Sequence, residues 1–289
     1  MKYSHPDLLI DIDTLSKRLD DRNLRVFDTA VFLTPRQSGG YQVDSGLEKY
    51  HKSHIPGAGF IDLMNCWSDT SSKLNFTLPD EVQLANAISQ AGINNDSEVI
   101  LYSSGHIMWA TRAWWLLHYA GHENVKILNG SFHAWRDANL PTENGEKQYP
   151  AKLFKPSIKP EVIANLEEME KGLNGNVCTI NSLDQSIYEG SGDFYYTRRG
   201  HIPGSKHVSY TSLLHEQFFL PPIELAAQLN TQDMLSARRV ITYCGGGIAA
   251  TVDAFACKLM GQDNVAVYDG SMSEWVLDDS RPLTIGKNP

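Results

Sequence analysis

Internal repetition constrains this chain more than any other feature. His54-Ile55-Pro56-Gly57-Ala58 returns as His201-Ile202-Pro203-Gly204-Ser205, 147 residues later. Val99-Ile100-Leu101-Tyr102-Ser103 returns as Val240-Ile241-Thr242-Tyr243-Cys244, at an offset of 141. Asn124-Val125-Lys126-Ile127-Leu128-Asn129-Gly130-Ser131 returns as Asn264-Val265-Ala266-Val267-Tyr268-Asp269-Gly270-Ser271 at 140, and Trp135 and Trp275 follow at the same spacing. Landmarks that keep their order at a nearly constant offset mark a duplicated domain, in units too large for a solenoid. The chain's 289 residues hold two such units. Residues 143–160 are polar, contain three prolines and show no apolar periodicity, so they read as the joint. The expected division is a first domain at 1–145, a linker at 146–160 and a second domain at 161–289.

Within each half the pattern alternates between helix and short apolar strand. Helical stretches are expected at 12–22 and 162–173, followed by strands at 24–28 and 177–181. After the His-Ile-Pro-Gly element come helices at 80–92 and 222–229, then strands at 99–102 and 240–243 that run directly into helices at 109–121 and 249–261. A last strand, 125–128 or 265–268, ends at Gly-Ser. Short buried strands alternating with helices imply an α/β fold, a mainly parallel sheet covered on both faces, formed twice. Ligands in such sheets sit where strands end and helices begin. That rule selects Ser103 in one half and Cys244 in the other.

Composition narrows the chemistry. The net charge is −9 and no basic run exists, so nucleic acid is not expected as a partner. No apolar stretch is long enough to span a bilayer, and the first ten residues do not read as a signal peptide. Cys66, Cys178, Cys244 and Cys257 are irregularly spaced and form no Cys-x-x-Cys pair, which argues for reduced thiols and a cytoplasmic setting.

Cys244-Gly245-Gly246-Gly247-Ile248-Ala249 is the most informative stretch. Glycines let the backbone curl around one centre and aim its N–H groups inward, and the helix behind adds its positive dipole end. Both favour a thiolate, as a nucleophilic or persulfide-carrying cysteine requires. Two other readings fail. Gly245-x-Gly247-x-x-Ala250 fits a dinucleotide fingerprint with Asp269 as the ribose acid, but too little chain follows to complete that fold. A cysteine phosphatase needs an arginine six residues after the nucleophile to clamp phosphate, and Ala250 stands there.

Taken together, the repeated His-Ile-Pro-Gly, the strand-end Cys loop and the repeated Asp/Asn-Gly-Ser…Trp element resemble the tandem rhodanese-type sulfurtransferases, over nearly the whole chain. The resemblance implies two five-stranded parallel sheets flanked by helices, a site facing the domain interface, and a first half inactive because Ser103 stands at the cysteine position. It also implies that Cys244 takes the outer sulfur of a small anionic donor as a persulfide and passes it to cyanide or a thiol acceptor, in ping-pong fashion, with no metal or organic cofactor. The N–H groups of Gly245 to Ala249 would stabilise the terminal sulfur.

Departures bear on the substrate. The loop lacks the basic residues associated with thiosulfate, and Gly246 replaces the serine of mercaptopyruvate enzymes. Asn181-Ser182-Leu183 and Ile187 stand where substrate-clamping arginines are usual. Arg198 and Arg199, just before Gly200-His201, are the expected substitutes. Thiosulfate is the favoured donor, with 3-mercaptopyruvate as the enzymatic alternative, and a persulfide carrier for a protein partner or a non-catalytic interaction module as readings from other classes. His54 and His201 are expected to fix their turns, Trp109, Trp114 and Trp115 to fill core and interface, and Cys66, Cys178 and Cys257 to be structural. His106, beside Ser103, has no third partner to make a hydrolase.

Overall fold

A computed structural model describes residues 1–36, 40–173, 177–192 and 196–289. Its strands are β1 (Leu9–Ile10), β2 (Leu24–Asp28), β3 (Val31–Pro35), β4 (Tyr41–Ser45), β5 (Gly59–Phe60), β6 (Glu98–Tyr102), β7 (Val125–Leu128), β8 (Ile163–Ala164), β9 (Cys178–Asn181), β10 (Lys206–His207), β11 (Leu214–His215), β12 (Phe218–Phe219), β13 (Val240–Tyr243) and β14 (Val265–Tyr268). Two five-stranded sheets, parallel throughout, have the same order. The first reads β1-β7-β6-β2-β5 and the second β8-β14-β13-β9-β10, strand for strand the same arrangement.

The central strands coincide with the expected ones because parallel strands buried on both faces are continuously apolar. Every residue of β13 and β14 is buried. The first elements of each half differ from expectation. Helices occupy only Ile12–Ser16 and Leu166–Gly172, and each is preceded by a two-residue edge strand, β1 or β8. So short a strand has no periodicity to read; its pairing with Ile127 and Leu128, or with Val267 and Tyr268, defines it. A second difference is the antiparallel hairpin β3–β4, which among the described residues has no counterpart in the second half.

The two His-Ile-Pro-Gly elements are built alike. His54 Nδ1 meets the Tyr50 carbonyl at 2.7 Å and His201 Nδ1 meets that of Tyr188 at 2.8 Å, each imidazole stacked on its tyrosine. Gly57 and Gly204 both have φ of +76°, the left-handed conformation that glycine adopts without strain. The N–H groups of Ile55 and Ile202 donate to the phenol oxygens of Tyr102 and Tyr243, the last residues of β6 and β13. Each turn is thus fastened to the strand that presents the loop residue Ser103 or Cys244.

Each sheet has a private apolar core on its outer face, while one continuous core fills the inner faces of both. The helices Met108–Tyr119 and Ala250–Leu259 meet there. Thr111 and Thr251, which are equivalent in the repeat, share a hydrogen bond of 2.7 Å across the interface. Trp114 and Trp115 are buried, as expected; Trp114 packs edge-on against Phe255 and Trp115 donates to the Val162 carbonyl. Apart from one β-bridge at Glu143, residues 143–159 form no strand or helix. They lie along the first half, where Tyr149 donates to the Gly57 carbonyl and Lys152 N–H to that of Ser89.

Candidate active site

Cys244 directly follows β13 and is 2% exposed. It lies at a cleft of about 420 Å³ between the two halves. Leu33, Val43, Phe76 and Met108 contribute from the first half, and Leu183, Ile187, Tyr196 and Tyr210 from the second.

The loop's glycines are needed for different reasons. Gly247 has φ of +72°, and a Cβ there would lie 2.6 Å from the Asp269 carbonyl oxygen. A Cβ on Gly245 would overlap the Tyr196 hydroxyl. Gly246 is unconstrained, its nearest would-be neighbour being the Asn75 carbonyl oxygen at 3.8 Å.

Ser271 holds the loop from behind. Its hydroxyl accepts from the N–H groups of Cys244 (3.0 Å) and Gly247 (3.1 Å) and donates to the Tyr268 carbonyl. The Gly245 carbonyl accepts from Ser273 N–H (2.9 Å) and Ser273 Oγ (2.7 Å), and the Cys244 carbonyl from Met272 N–H. With its carbonyls tied back, the loop leaves the N–H groups of Gly245, Gly246, Ile248 and Ala249 without a protein acceptor among the described residues. The helix Ala250–Leu259 starts at this point, with no side-chain cap. Four open donors and a helix N-terminus beside a sulfur atom make a site for an anion bound to that sulfur. Gly247, expected among the donors, is instead committed to Ser271.

The first half braces this loop. Arg112, 1% exposed, pairs with Asp269 at 2.6 Å and also donates to the carbonyls of Gly247 (3.3 Å) and Phe76 (2.6 Å). Asp269 accepts in addition from Leu78 N–H. Neither Ser271 nor the Arg112–Asp269 pair was singled out from the sequence as a site residue. The repeated Asn/Asp-Gly-Ser was the available signal for Ser271 and Asp269, whereas Arg112 lies in an otherwise apolar helical run with nothing to mark its target.

The arginine expectation needs correction. Arg198 donates to the carbonyls of Asp278 (3.0 Å) and Arg281 (2.8 Å), and neither Arg198 nor Arg199 lines the cleft. The carbonyls of the last turn after Trp275 attract the Arg198 guanidinium away from it. Among the described lining residues Lys73 is the one cation and Asp184 the one carboxylate. Leu183 and Ile187 line the wall where arginines are usual in the resembling family. Burial pushes the Tyr210 phenol up to about 12, with the nearby Asp184, Cys244 and Asp253 adding to the shift, so it faces the cleft as a neutral hydroxyl. Asp253 is fully buried, and burial holds its pKa well above the usual carboxylate range, with the nearby Ser182 opposing the shift.

The other thiols lie elsewhere. Burial raises the pKa of Cys257 and of Cys178, which fits inert packing residues. Cys66, expected to be structural, is exposed and borders a separate cleft in the first half. Among the described residues no group of three or more His, Cys, Asp or Glu side chains could hold a metal, and no helix is long and apolar enough to cross a membrane.

A doubled parallel α/β fold that presents a strand-end cysteine and open amides to an interdomain cleft defines the class of the protein. Residues 11–138 and 183–278 match the rhodanese-like domain, and the chain belongs to the rhodanese family. It is similar to the 3-mercaptopyruvate sulfurtransferase of Escherichia coli (strain K12), 30% identical over 269 residues that cover 92% of this chain and 94% of that one. It is also similar to the thiosulfate sulfurtransferase of Cricetulus griseus, 31% identical over 235 residues and 79% of each chain. The crystal structure of the 3-mercaptopyruvate sulfotransferase SseA from Escherichia coli superposes with a TM-score of 0.82 at 29% identity, covering 92% of this chain and 99% of that one. The protein is a sulfurtransferase of the tandem rhodanese type, acting on sulfur donors and acceptors.

Proposed function

We propose that the protein moves a sulfane sulfur from an anionic donor, thiosulfate by preference, through a persulfide on Cys244 to cyanide or a thiol. Cys244 Sγ attacks the outer sulfur of the donor, the sulfur–sulfur bond of the donor breaks, and its remainder leaves as an anion. The acceptor then takes the outer sulfur and regenerates the Cys244 thiolate, a covalent ping-pong cycle. The observation that carries this reading is the set of four N–H groups without protein acceptors (Gly245, Gly246, Ile248, Ala249) next to a helix N-terminus and to Cys244. Such preorganised donors stabilise charge on the transferred sulfur without reorganisation. Four free cysteines fit a reducing, cytoplasmic compartment.

Thiosulfate with cyanide should yield thiocyanate, and thiosulfate alone should add the mass of one sulfur to Cys244; a folded enzyme that does neither refutes the proposal. The name of the Escherichia coli relative favours 3-mercaptopyruvate as the second reading, and the open space at Gly246 would accept the serine seen in such enzymes. The ratio of kcat/KM for the two donors decides between them. A stable sulfur on Cys244 with no turnover of either donor would indicate a carrier serving a protein partner.

A further inference from the structure

We infer that the outer part of the cleft is a subsite for an apolar organic thiol, the acceptor in the second half of the cycle; this rests on the persulfide reading of Cys244. At about 420 Å³ the cleft is of a size that holds organic ligands, and a two-atom cyanide or a five-atom thiosulfate leaves most of it unfilled. Its walls are apolar from both sides. Leu33 and Val43 are directly paired across the β3–β4 hairpin and therefore share the face turned to the cleft. Phe76 rests on Trp109 with ring centroids 5.0 Å apart. Leu183 and Ile187 form the opposite wall.

Charge in the cleft is balanced and peripheral. Lys73 and Asp184, both exposed, are its one cation and one carboxylate among the described residues. The guanidiniums of Arg112 and Arg198 are committed to Asp269 and to main-chain carbonyls. Among the described lining side chains a highly charged thiol finds no surplus of opposite charge, whereas an apolar one gains from covering them.

The chemistry balances without a further reagent. The acceptor thiolate attacks the outer sulfur of the protonated persulfide. A sulfur–sulfur bond forms to the acceptor while the bond to Cys244 Sγ breaks, the electron pair returns to Cys244 as thiolate, and the product leaves as an organic hydropersulfide with the persulfide's proton.

The test compares phenylmethanethiol with 2-mercaptoethanol as acceptors at saturating thiosulfate, each rate corrected for the uncatalysed reaction. The expected kcat/KM advantage of the aromatic thiol is about tenfold or more. Leu183→Arg and Ile187→Arg should each bring the ratio towards one. Equal values for the two thiols, or a ratio that neither variant moves, overturn the proposal. Failure of the persulfide reading is seen separately, as no thiocyanate with cyanide and no sulfur on Cys244. In that event benzyl methyl sulfide, which cannot accept sulfur, still reports on the subsite by calorimetry. Binding that weakens in both variants supports it, and no binding by the wild type overturns it.

Discussion

The two strand-end loops share a fold and differ in what their N–H groups do. In the second half the amides of Gly245, Gly246, Ile248 and Ala249 have no protein acceptor among the described residues. Their counterparts in the first half are Ser104, Gly105, Ile107 and Met108, and all four are occupied. Ser104 N–H donates to Asp28 (3.1 Å), Gly105 N–H to Ser103 Oγ (3.0 Å), Ile107 N–H to Gln217 Oε1 (2.8 Å) and Met108 N–H to His106 Nδ1 (3.1 Å). Burial pushes His106 down to about 4, which keeps its ring neutral and able to accept. The first half's loop therefore departs from the second's in two ways: a serine stands in place of the thiol, and the loop's N–H groups are filled from within by the protein's own acceptors. Gln217 comes from the turn between β11 and β12, so the second half closes the first half's loop. In return, Arg112 of the first half braces the loop that stays open.

This contrast can be broken in order of expected effect. Cys244→Ser should lower sulfur transfer by at least about a thousandfold, since it removes the nucleophile and leaves only the binding contacts. Mass spectrometry after thiosulfate treatment should then find no added sulfur on any residue. Introducing Ser103→Cys into that variant should not restore thiocyanate formation, because the amides of Ser104, Ile107 and Met108 stay taken by Asp28, Gln217 and His106. Recovery of more than a small fraction of wild-type activity would mean that the serine alone silences the first half.

Arg112→Ala takes the guanidinium from the partly buried Asp269 and leaves it only the Leu78 N–H, and should cost about 3 kcal/mol in a urea melt, with activity falling as the loop loosens. A loss under about 1 kcal/mol would show that the first half does not brace the second.

Asp28 and Asn181 end equivalent strands, and each accepts from the N–H two residues on, both at 2.9 Å. Burial raises the Asp28 carboxyl to about 6, well above the usual aspartate range. The folded state thus holds this proton more tightly, so the penalty is absent below pH ~4, grows as pH rises to ~6 and is complete above it. Asp28→Asn, which copies the second half, should remove this fall and raise stability at neutral pH by up to about 3 kcal/mol. Denaturant midpoints at pH 4.5 and 7.5 check it; an unchanged pH slope would argue against the raised carboxyl. The smallest effect is expected for Arg198→Ala. Thiosulfate KM should stay within about twofold, with stability reduced by about 1 kcal/mol through loss of the Asp278 and Arg281 carbonyl contacts. A large rise in KM would return Arg198 to the substrate.

Much of this was legible in the residues. β13 and β14 appear where their uninterrupted apolar runs lie, and the Cys244 loop where glycines follow a buried strand. The hairpin β3–β4 has a partial signal in the β-rich run Val31-Phe32-Leu33-Thr34 and the alternating Tyr41-Gln42-Val43-Asp44, with Gly39-Gly40 ahead of the second. The strands β1 and β8 were not readable, because two residues carry no period and their partners lie more than 100 positions away. Arg198 was misread because adjacency to Gly200-His201 in sequence says nothing about where a long, flexible guanidinium finds its carbonyls.

By itself the sequence determined the duplication, the parallel α/β fold of each copy and the cysteine that distinguishes them, since these follow from local pattern and residue type. Only the tertiary structure decided which loop amides are open. That depends on acceptors such as Ser271, Asp28 and Gln217, brought from 24 to 110 positions away. Hydrogen-bond satisfaction is a property of packed neighbours, and no local pattern encodes it.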